Sequence, residues 1–156
     1  MISASSTASE PPSPAAKRVN PIYILISLLS LGGLADAIYL TVQHITGESV
    51  RCMITSGCSE VLSSSYASVA GYPLASIGAL GYFSVFSLAI LAVFGYRIAG
   101  QLLVVLALAM CLVSFWLIYL QAFVIRHFCQ FCLLSAGITF TMTVLVLLSW
   151  RLNRRS

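Results

Sequence analysis

Charged residues are scarce in this sequence. Only 8% of its 156 residues are Asp, Glu, Lys or Arg, and 60% are hydrophobic, whereas about a quarter of a soluble domain is charged. A chain of this composition cannot cover its surface with polar groups, which excludes a soluble domain and indicates a lipid environment. The basic residues cluster at the ends of apolar runs, which favours a membrane protein over a nucleic-acid-binding one.

Four long apolar runs follow the N-terminal tail, at about residues 21–45, 77–96, 102–125 and 128–150. Each is about as long as a helix must be to cross the bilayer, and the alternation typical of a barrel strand is absent. We therefore predict an all-α integral membrane protein, a four-transmembrane-helix bundle with one long outer loop over residues 46–76. An apolar pattern in residues 59–68 predicts a short helix within this loop.

The two ends of the chain predict its orientation. Residues 1–20 are rich in Ser, Ala and Pro and are expected to form a disordered cytoplasmic tail, and residues 151–156 a basic one. With both termini cytoplasmic, six of the eight basic residues lie inside and only Arg51 and Arg126 outside, as the positive-inside rule favours. The sequence thus predicts a multi-pass protein of the inner (cytoplasmic) membrane. A signal peptide cleaved near Asp36 is the alternative, but apolar sequence continues beyond that site.

Four cysteines are predicted to meet on the outer side. Cys52 and Cys58 lie in the long loop, and Cys129 and Cys132 form a Cys-x-x-Cys at the outer end of the fourth run. The spacing of three places both sulfurs on one helix face, and the helix start stabilises a thiolate at Cys129. Two pairs on a disulfide-permissive side suit an electron relay through mixed disulfides. Cys111, within the third run, is interpreted as a packing residue.

Two structural alternatives apply to these cysteines. They could form two static disulfides in a membrane scaffold or transporter subunit, or a four-cysteine zinc site. The spacing of Cys52 and Cys58 is wider than zinc ligands usually show, so no metal is predicted. A disulfide within a Cys-x-x-Cys on a helix is strained as a structural cross-link, and the motif is typical of redox centres. The sequence therefore favours a thiol oxidoreductase over the scaffold.

No common redox cofactor motif is present to receive the electrons. The sequence has no Cys-x-x-Cys-His, no nucleotide fingerprint and no thioredoxin-like domain, which favours a quinone dissolved in the bilayer. Aromatic residues either line its pocket or simply pack within the bundle: Tyr82, Phe83, Phe115, Trp116, Tyr119, Phe128 and Phe131.

Three polar residues interrupt the apolar runs. A charge within a span is costly and usually functional, so Asp36 is predicted to handle protons or to lie beside the quinone. The alternative for Asp36 is a carboxyl satisfied by neighbouring hydroxyls. His44 and Gln121 are predicted to lie at the membrane interface.

Several segments together resemble a known family. They are residues 33–41 (GLADAIYLT), Cys52, residues 57–66 (GCSEVLSSSY), 71–73 (GYP), 78–82 (GALGY) and 128–132 (FCQFC). In this order they resemble bacterial-type members of the vitamin K epoxide reductase family, over almost everything after the tail.

The resemblance implies a four-helix bundle around a quinone of ubiquinone or menaquinone type. It implies that Cys52 exchanges with an exported thioredoxin-fold, DsbA-like partner, that Cys58 attacks Cys129, and that Cys132 delivers electrons to the quinone. Ser64 matches a family serine near the quinone. Many bacterial members carry a fused thioredoxin-like domain, whereas this chain ends at Ser156, so its partner is expected to be a separate protein.

Two departures from the family pattern bear on the substrate. Residues 73–77 (PLASI) lack an Asn that contacts the quinone in some members, and Ala136 stands where animal members have a Tyr. Both departures favour plain quinone reduction over vitamin K epoxide chemistry. The unrelated disulfide-bond formation protein B also has four helices and two cysteine pairs, but it carries them in the reverse order.

Overall fold

A computed structural model describes residues 21–47 and 57–155. The predicted tail of residues 1–20, Arg51 and Cys52 lie outside the described residues. Four long helices, each long and apolar enough to cross a membrane, confirm the predicted all-α membrane bundle. The elements are α1 (Pro21–Thr46), α2 (Cys58–Ser63), β1 (Ser68–Val69), β2 (Tyr72–Pro73), α3 (Leu74–Val93), α4 (Arg97–Tyr119), a π-helical turn (Leu120–Ile125) and α5 (Gln130–Arg155).

The four long helices form a ring in the order α1, α3, α4, α5, so that each packs against two neighbours. Small and branched side chains, among them Ile26, Val85 and Leu103, fill the centre. Tyr82 is the largest fully buried side chain, and its ring lies against Gly33, where any Cβ would overlap it. The glycine in α1 therefore sets how closely α1 and α3 approach.

Polar contacts also join the helices inside this apolar core. The Tyr82 hydroxyl donates to the Ser135 carbonyl oxygen at 2.8 Å and lies 2.9 Å from Thr139 Oγ1. Thr143 Oγ1 donates to the Ala107 carbonyl oxygen at 3.2 Å, which links α5 to α4. Hydrocarbon offers these groups no other partner, so each bond also fixes how the helices are rotated against one another.

Four helix boundaries differ from the prediction: both ends of α3, the start of α4 and the start of α5. Helix α3 begins at Leu74, directly after Pro73, and ends in a Schellman motif in which Tyr96 N–H donates to Leu91 O at 3.3 Å. Gly95, at φ 88°, supplies the left-handed residue of that motif. Helix α4 therefore starts at Arg97, earlier than the apolar run alone indicated. Helix α5 starts at Gln130, two residues later than predicted.

Helix α5 continues to Arg155, beyond the predicted end of the fourth run at residue 150 and through most of the predicted basic cytoplasmic tail of residues 151–156. The Arg154 guanidinium lies 4.0 Å from the centre of the Trp150 ring, one turn earlier. Cations at a helix C-terminus are favoured by the helix dipole, and a cation over an aromatic face adds to that stabilisation. Both effects extend the helix past the end of the apolar run.

The loop between α1 and α3 covers the bundle at the cysteine end. Helix α2 occupies Cys58–Ser63, which confirms a short helix in the loop, and a two-stranded antiparallel hairpin follows it. The hairpin turn consists of Ala70 and Gly71, both at positive φ (52° and 85°), as a tight turn of this kind requires. His44 Nδ1 lies 3.1 Å from the Leu62 carbonyl oxygen and ties the end of α1 to α2.

Candidate active site

An irregular backbone connects α4 to the Cys-x-x-Cys. The last turn of α4 widens into a π-helical turn over Leu120–Ile125, and Arg126 then adopts a left-handed conformation at φ 57°. A wide turn re-aims the side chains that follow it, and such turns recur at functional sites. Here Gln121 is directed inward: it is buried, and its Oε1 accepts the backbone N–H of Cys129 at 3.0 Å.

Cys129 occupies the N-cap position of α5. Its carbonyl oxygen accepts the first helical hydrogen bond, from Leu133 N–H at 3.0 Å. Its sulfur receives hydrogen bonds from the backbone N–H groups of Phe131 and Cys132, which is the arrangement that a Ser or Asp cap makes with its oxygen. The sulfur therefore sits where the helix start favours negative charge.

The thiol of Cys132 completes this environment. It donates a hydrogen bond to the Cys129 sulfur, which together with the helix-start N–H groups lowers the pKa of Cys129 from 9.0 to about 7, against the opposing effects of burial and of the Asp36 charge. Cys129 lies just outside the fourth span, which begins at Gln130. A substantial fraction of Cys129 is therefore thiolate at neutral pH, the form that exchanges with disulfides.

The loop pair and the helix pair meet in one cluster. Cys58 and Cys129 are both fully buried and pack together with Val61, and the side chain of Cys132 contacts the same cluster. Close approach of the two segments depends on Gly57, where a Cβ would lie 2.8 Å from His127 Cβ and 2.9 Å from Phe128 O. The structure therefore brings Cys58, Cys129 and Cys132 together in one cluster.

The two pairs differ in redox state. Cys58 is disulfide-bonded, whereas Cys129 and Cys132 are free thiols. Cys111 is also a free thiol, half-buried on α4, and it is not among the residues that line the cavity described next. The helix pair is therefore a dithiol that lies beside the disulfide-bonded Cys58.

A cavity of about 140 Å³ opens beside Cys132, similar in size to cavities that hold a single benzene ring. Its wall is mostly apolar and is drawn from α1, α2, α3, α4 and α5, and it also includes His44, Ser64, Ser114, Gln121 and Ser135. An apolar cavity with a few converging polar groups suits a small ring with polar substituents, and a quinone head group has that chemistry.

The matching family model is the vitamin K epoxide reductase family, over residues 24–147. This chain belongs to that family. Membership makes the chain a membrane oxidoreductase of a family that uses quinones. The matched range includes all five cysteines and every residue described above for the cavity.

The cavity of this vitamin K epoxide reductase family member contains one of the five residues predicted to bind the quinone. Ser64 lines it, and its Oγ donates to the Val61 carbonyl oxygen at 2.7 Å. Phe128 and Tyr119 are exposed on the outside of the bundle, and Phe131 packs on Tyr39 with ring centres 5.2 Å apart. Asp36 is half-buried and does not line the cavity, although its Oδ2 is buried without a described partner. The quinone-binding roles of these residues remain predictions.

The two departures from the family pattern both fall on the cavity wall. Ala136 lines it, and so do Pro73, Leu74 and Ala75 of the segment that lacks the Asn. The wall is therefore more apolar here than in members that carry the Asn and the Tyr.

Sequence reasoning did not assign Gln121 and His44 to the site, and their predicted position at the membrane interface stays a prediction. Gln121 is 3% exposed and holds Cys129, while His44 contacts Leu62, and both line the cavity. A lone glutamine eight residues before a Cys-x-x-Cys is the signal that pointed to the first of them. Its meaning depended on the π-helical turn, which the sequence does not indicate.

Proposed function

We propose that this chain oxidises cysteine pairs of exported proteins and passes the electrons to a membrane quinone, which supports disulfide bond formation. The observation that carries the proposal is that the two cysteines of the helix pair have different surroundings. Cys129 packs against Cys58, whereas Cys132 lines the cavity. A relay requires one sulfur that faces the donor and one that faces the acceptor.

In the proposed sequence, Cys52 exchanges with a separate thioredoxin-fold partner and the loop pair becomes a dithiol. The Cys58 thiolate attacks Cys129 in the helix disulfide, Cys132 leaves as a thiol, and Cys52 then displaces Cys129 to restore the loop disulfide. The low pKa of Cys129 makes it a good leaving group in that last displacement. The described redox state, with Cys58 bonded and the helix pair free, corresponds to the product of these steps.

The helix dithiol then returns to its disulfide. This oxidation releases two electrons and two protons, and a quinone is a lipid-soluble acceptor of both. Cys132 and Gln121 would face the head group, because both line the cavity wall. Burial of Cys58 and Cys129 keeps water away from the exchange between them.

The charge distribution supports an orientation with the cysteines on the periplasmic or outer side of the cytoplasmic membrane. Arg97, Arg151 and Arg154 lie at the end of the bundle opposite the cysteines, whereas Arg126 lies beside them. The excess of basic residues on the opposite end favours that end as cytoplasmic. Four spans place both termini on that side.

The alternative is a membrane scaffold braced by disulfides, with no redox turnover. A brace at the Cys-x-x-Cys would hold Cys129 and Cys132 in a disulfide, but both are free thiols and share a hydrogen bond. This arrangement favours the redox function.

Turnover by the purified protein in lipid nanodiscs tests the proposal. With a reduced thioredoxin-fold protein and a short-chain quinone, the wild type should form quinol, followed by its ultraviolet absorbance. Cys132→Ala should lower the rate by about a thousandfold or more, since it removes a reacting group. Cys111→Ala is the matched control and should stay within about twofold. Absence of wild-type turnover, or full turnover in Cys132→Ala, would contradict the proposal.

A further inference from the structure

Gln121 connects the helix pair to the cavity. Its side chain is buried, its Oε1 accepts the Cys129 backbone N–H at 3.0 Å, and the same residue lines the cavity together with Cys132. The orientation of the amide is fixed, because a backbone N–H can only donate and must face the oxygen. The NH₂ group of Gln121 therefore points away from Cys129, and no hydrogen bond joins it to another residue in the described part of the chain.

Three other polar groups of the cavity wall already have hydrogen-bond partners. Ser64 Oγ donates to Val61 O at 2.7 Å, His44 Nδ1 lies 3.1 Å from Leu62 O, and Ser135 Oγ lies 2.8 Å from the Tyr82 hydroxyl. Ser114 is half-buried about two turns earlier on α4, and no hydrogen bond from its hydroxyl is described. A ligand in this cavity therefore meets three donors in its wall that have no described partner, those of Tyr66, Ser114 and Gln121, and the Gln121 amide is the one attached to the redox pair.

A quinone head group presents acceptors only. Its two carbonyl oxygens need donors when they are taken out of water, because a buried acceptor without a partner costs free energy. Among the residues that line the cavity, Gln121 carries the one side-chain amide.

We propose that Gln121 donates from Nε2 to a carbonyl oxygen of the quinone while its Oε1 holds Cys129. One side chain then positions both the electron acceptor and the helix pair. The π-helical turn has a purpose in this arrangement, since it turns the amide toward the bundle interior. This inference rests on the proposed function and names a ligand-binding residue for it.

Equilibrium binding tests the proposal without turnover. A short-chain ubiquinone is titrated into the protein in nanodiscs, and binding is followed by quenching of tryptophan fluorescence. Gln121→Met, similar in size and without a donor, should weaken binding by about three- to tenfold at every pH, the effect of one lost hydrogen bond. Gln121→Glu should bind like the wild type at low pH, where its carboxyl is protonated and donates, and more weakly as the pH rises.

The pH dependence separates ligand binding from a merely structural role. Loss of structure would weaken binding in Gln121→Glu without this dependence on protonation. The titratable groups of the surrounding elements are the same in every variant, so the pH profile of the wild type is the baseline. They are Asp36, His44, Glu60, Tyr66, Arg126, His127, Cys129 and Cys132, of which Cys129 has a lowered pKa. Gln43→Met is the matched control and should stay within about twofold, because Gln43 does not line the cavity.

Three results would overturn the inference. They are unchanged binding in Gln121→Met, weakened binding in Gln121→Glu that does not vary with pH, and a loss in Ser114→Ala that exceeds the loss in Gln121→Met. A wild type that binds quinone but shows no turnover would refute the proposed function and still leave the role of Gln121 decided by these titrations. A wild type that does not bind the quinone would refute both.

Discussion

The two halves of the bundle differ in the regularity of their backbone. Away from the cysteines, regular helices pack on small and branched side chains, with Tyr82 at the centre. At the cysteine end the chain uses a π-helical turn, a left-handed Arg126, a six-residue helix and a tight hairpin. The regular helices thus fix the arrangement of the bundle, whereas the irregular segments bring a thiol, an amide and a backbone N–H close together. Four substitutions test this difference between the two halves.

The largest effect is expected in the regular half, at Gly33. A Cβ there would overlap the Tyr82 ring, whereas a Cβ at Gly32 would meet nothing within 4 Å. Gly33→Ala should lower the free energy of unfolding by about 2–4 kcal/mol relative to Gly32→Ala, which gains helix propensity without a clash. Unfolding in mixed detergent micelles measures both variants. Equal stabilities would show that α1 and α3 are not held at this distance.

The next effect concerns the acidity of Cys129. Cys132→Ala removes the thiol that lowers the pKa of Cys129 to about 7, so this pKa should rise toward its ordinary value of 9.0. Thiolate would then form only at higher pH, and the midpoint of Cys129 alkylation, followed by mass spectrometry, should rise accordingly. Cys132→Ser keeps a hydroxyl donor and should keep the midpoint closer to 7. Identical midpoints in the two variants would exclude the hydrogen bond as the cause.

A smaller effect is expected where the irregular segments meet. Gly57→Ala would push α2 away from His127 and Phe128 and separate Cys58 from Cys129. Turnover driven by a thioredoxin-fold donor should fall about tenfold or more, since exchange needs close alignment of sulfurs. Single-turnover oxidation of a pre-reduced helix pair by quinone should not change. Gly137→Ala, with open space around it, is the control, and a similar loss in both assays would contradict this division.

The smallest effect is expected for the polar contacts of the core. Tyr82→Phe removes the hydroxyl that contacts Ser135 and Thr139 and should lower the free energy of unfolding by about 1 kcal/mol, as is usual for hydrogen bonds between membrane helices. Tyr96→Phe, at an exposed side chain, is the control and should change little. If Tyr82→Phe lowered the free energy of unfolding by more than Gly33→Ala does, polar contacts would contribute more than packing to the stability of this half.

Much of the frame could be predicted from the sequence. The length and apolarity of the runs decide how many helices cross a bilayer, and the four spans follow from them. Boundaries were less predictable, because they depend on local contacts. Arg97 joins α4 after the turn at Gly95, and Arg154 extends α5 by lying on Trp150. A hydropathy profile assigns such arginines to the connections between helices. Their long side chains nevertheless allow the charged group to reach water from the end of a helix.

The site could be predicted only in part. The order of the cysteines indicated that Cys58 and Cys129 would meet, and both lie in one cluster. Cys129 proved to be the N-cap of α5 and not a residue of its first turn. The pocket could not be read from aromatic content, because Phe115 and Trp116 are exposed to the lipid. Hydropathy does not distinguish a side chain that faces lipid from one that faces a cavity.

Helix α3 has 20 residues, whereas α1 and α5 have 26 each and the third span has 29. At about 1.5 Å per residue α3 is about as tall as the hydrocarbon layer, so one wall of the bundle is lower than the other three. Residues 58–73, with α2 and the hairpin, form a lid over the cavity, and six of them line it: Val61, Leu62, Ser64, Tyr66, Ala67 and Pro73. Substitutions in the lid can change the shape of the cavity while the four spans keep their register. Substrate preference can therefore evolve separately from stability in the membrane.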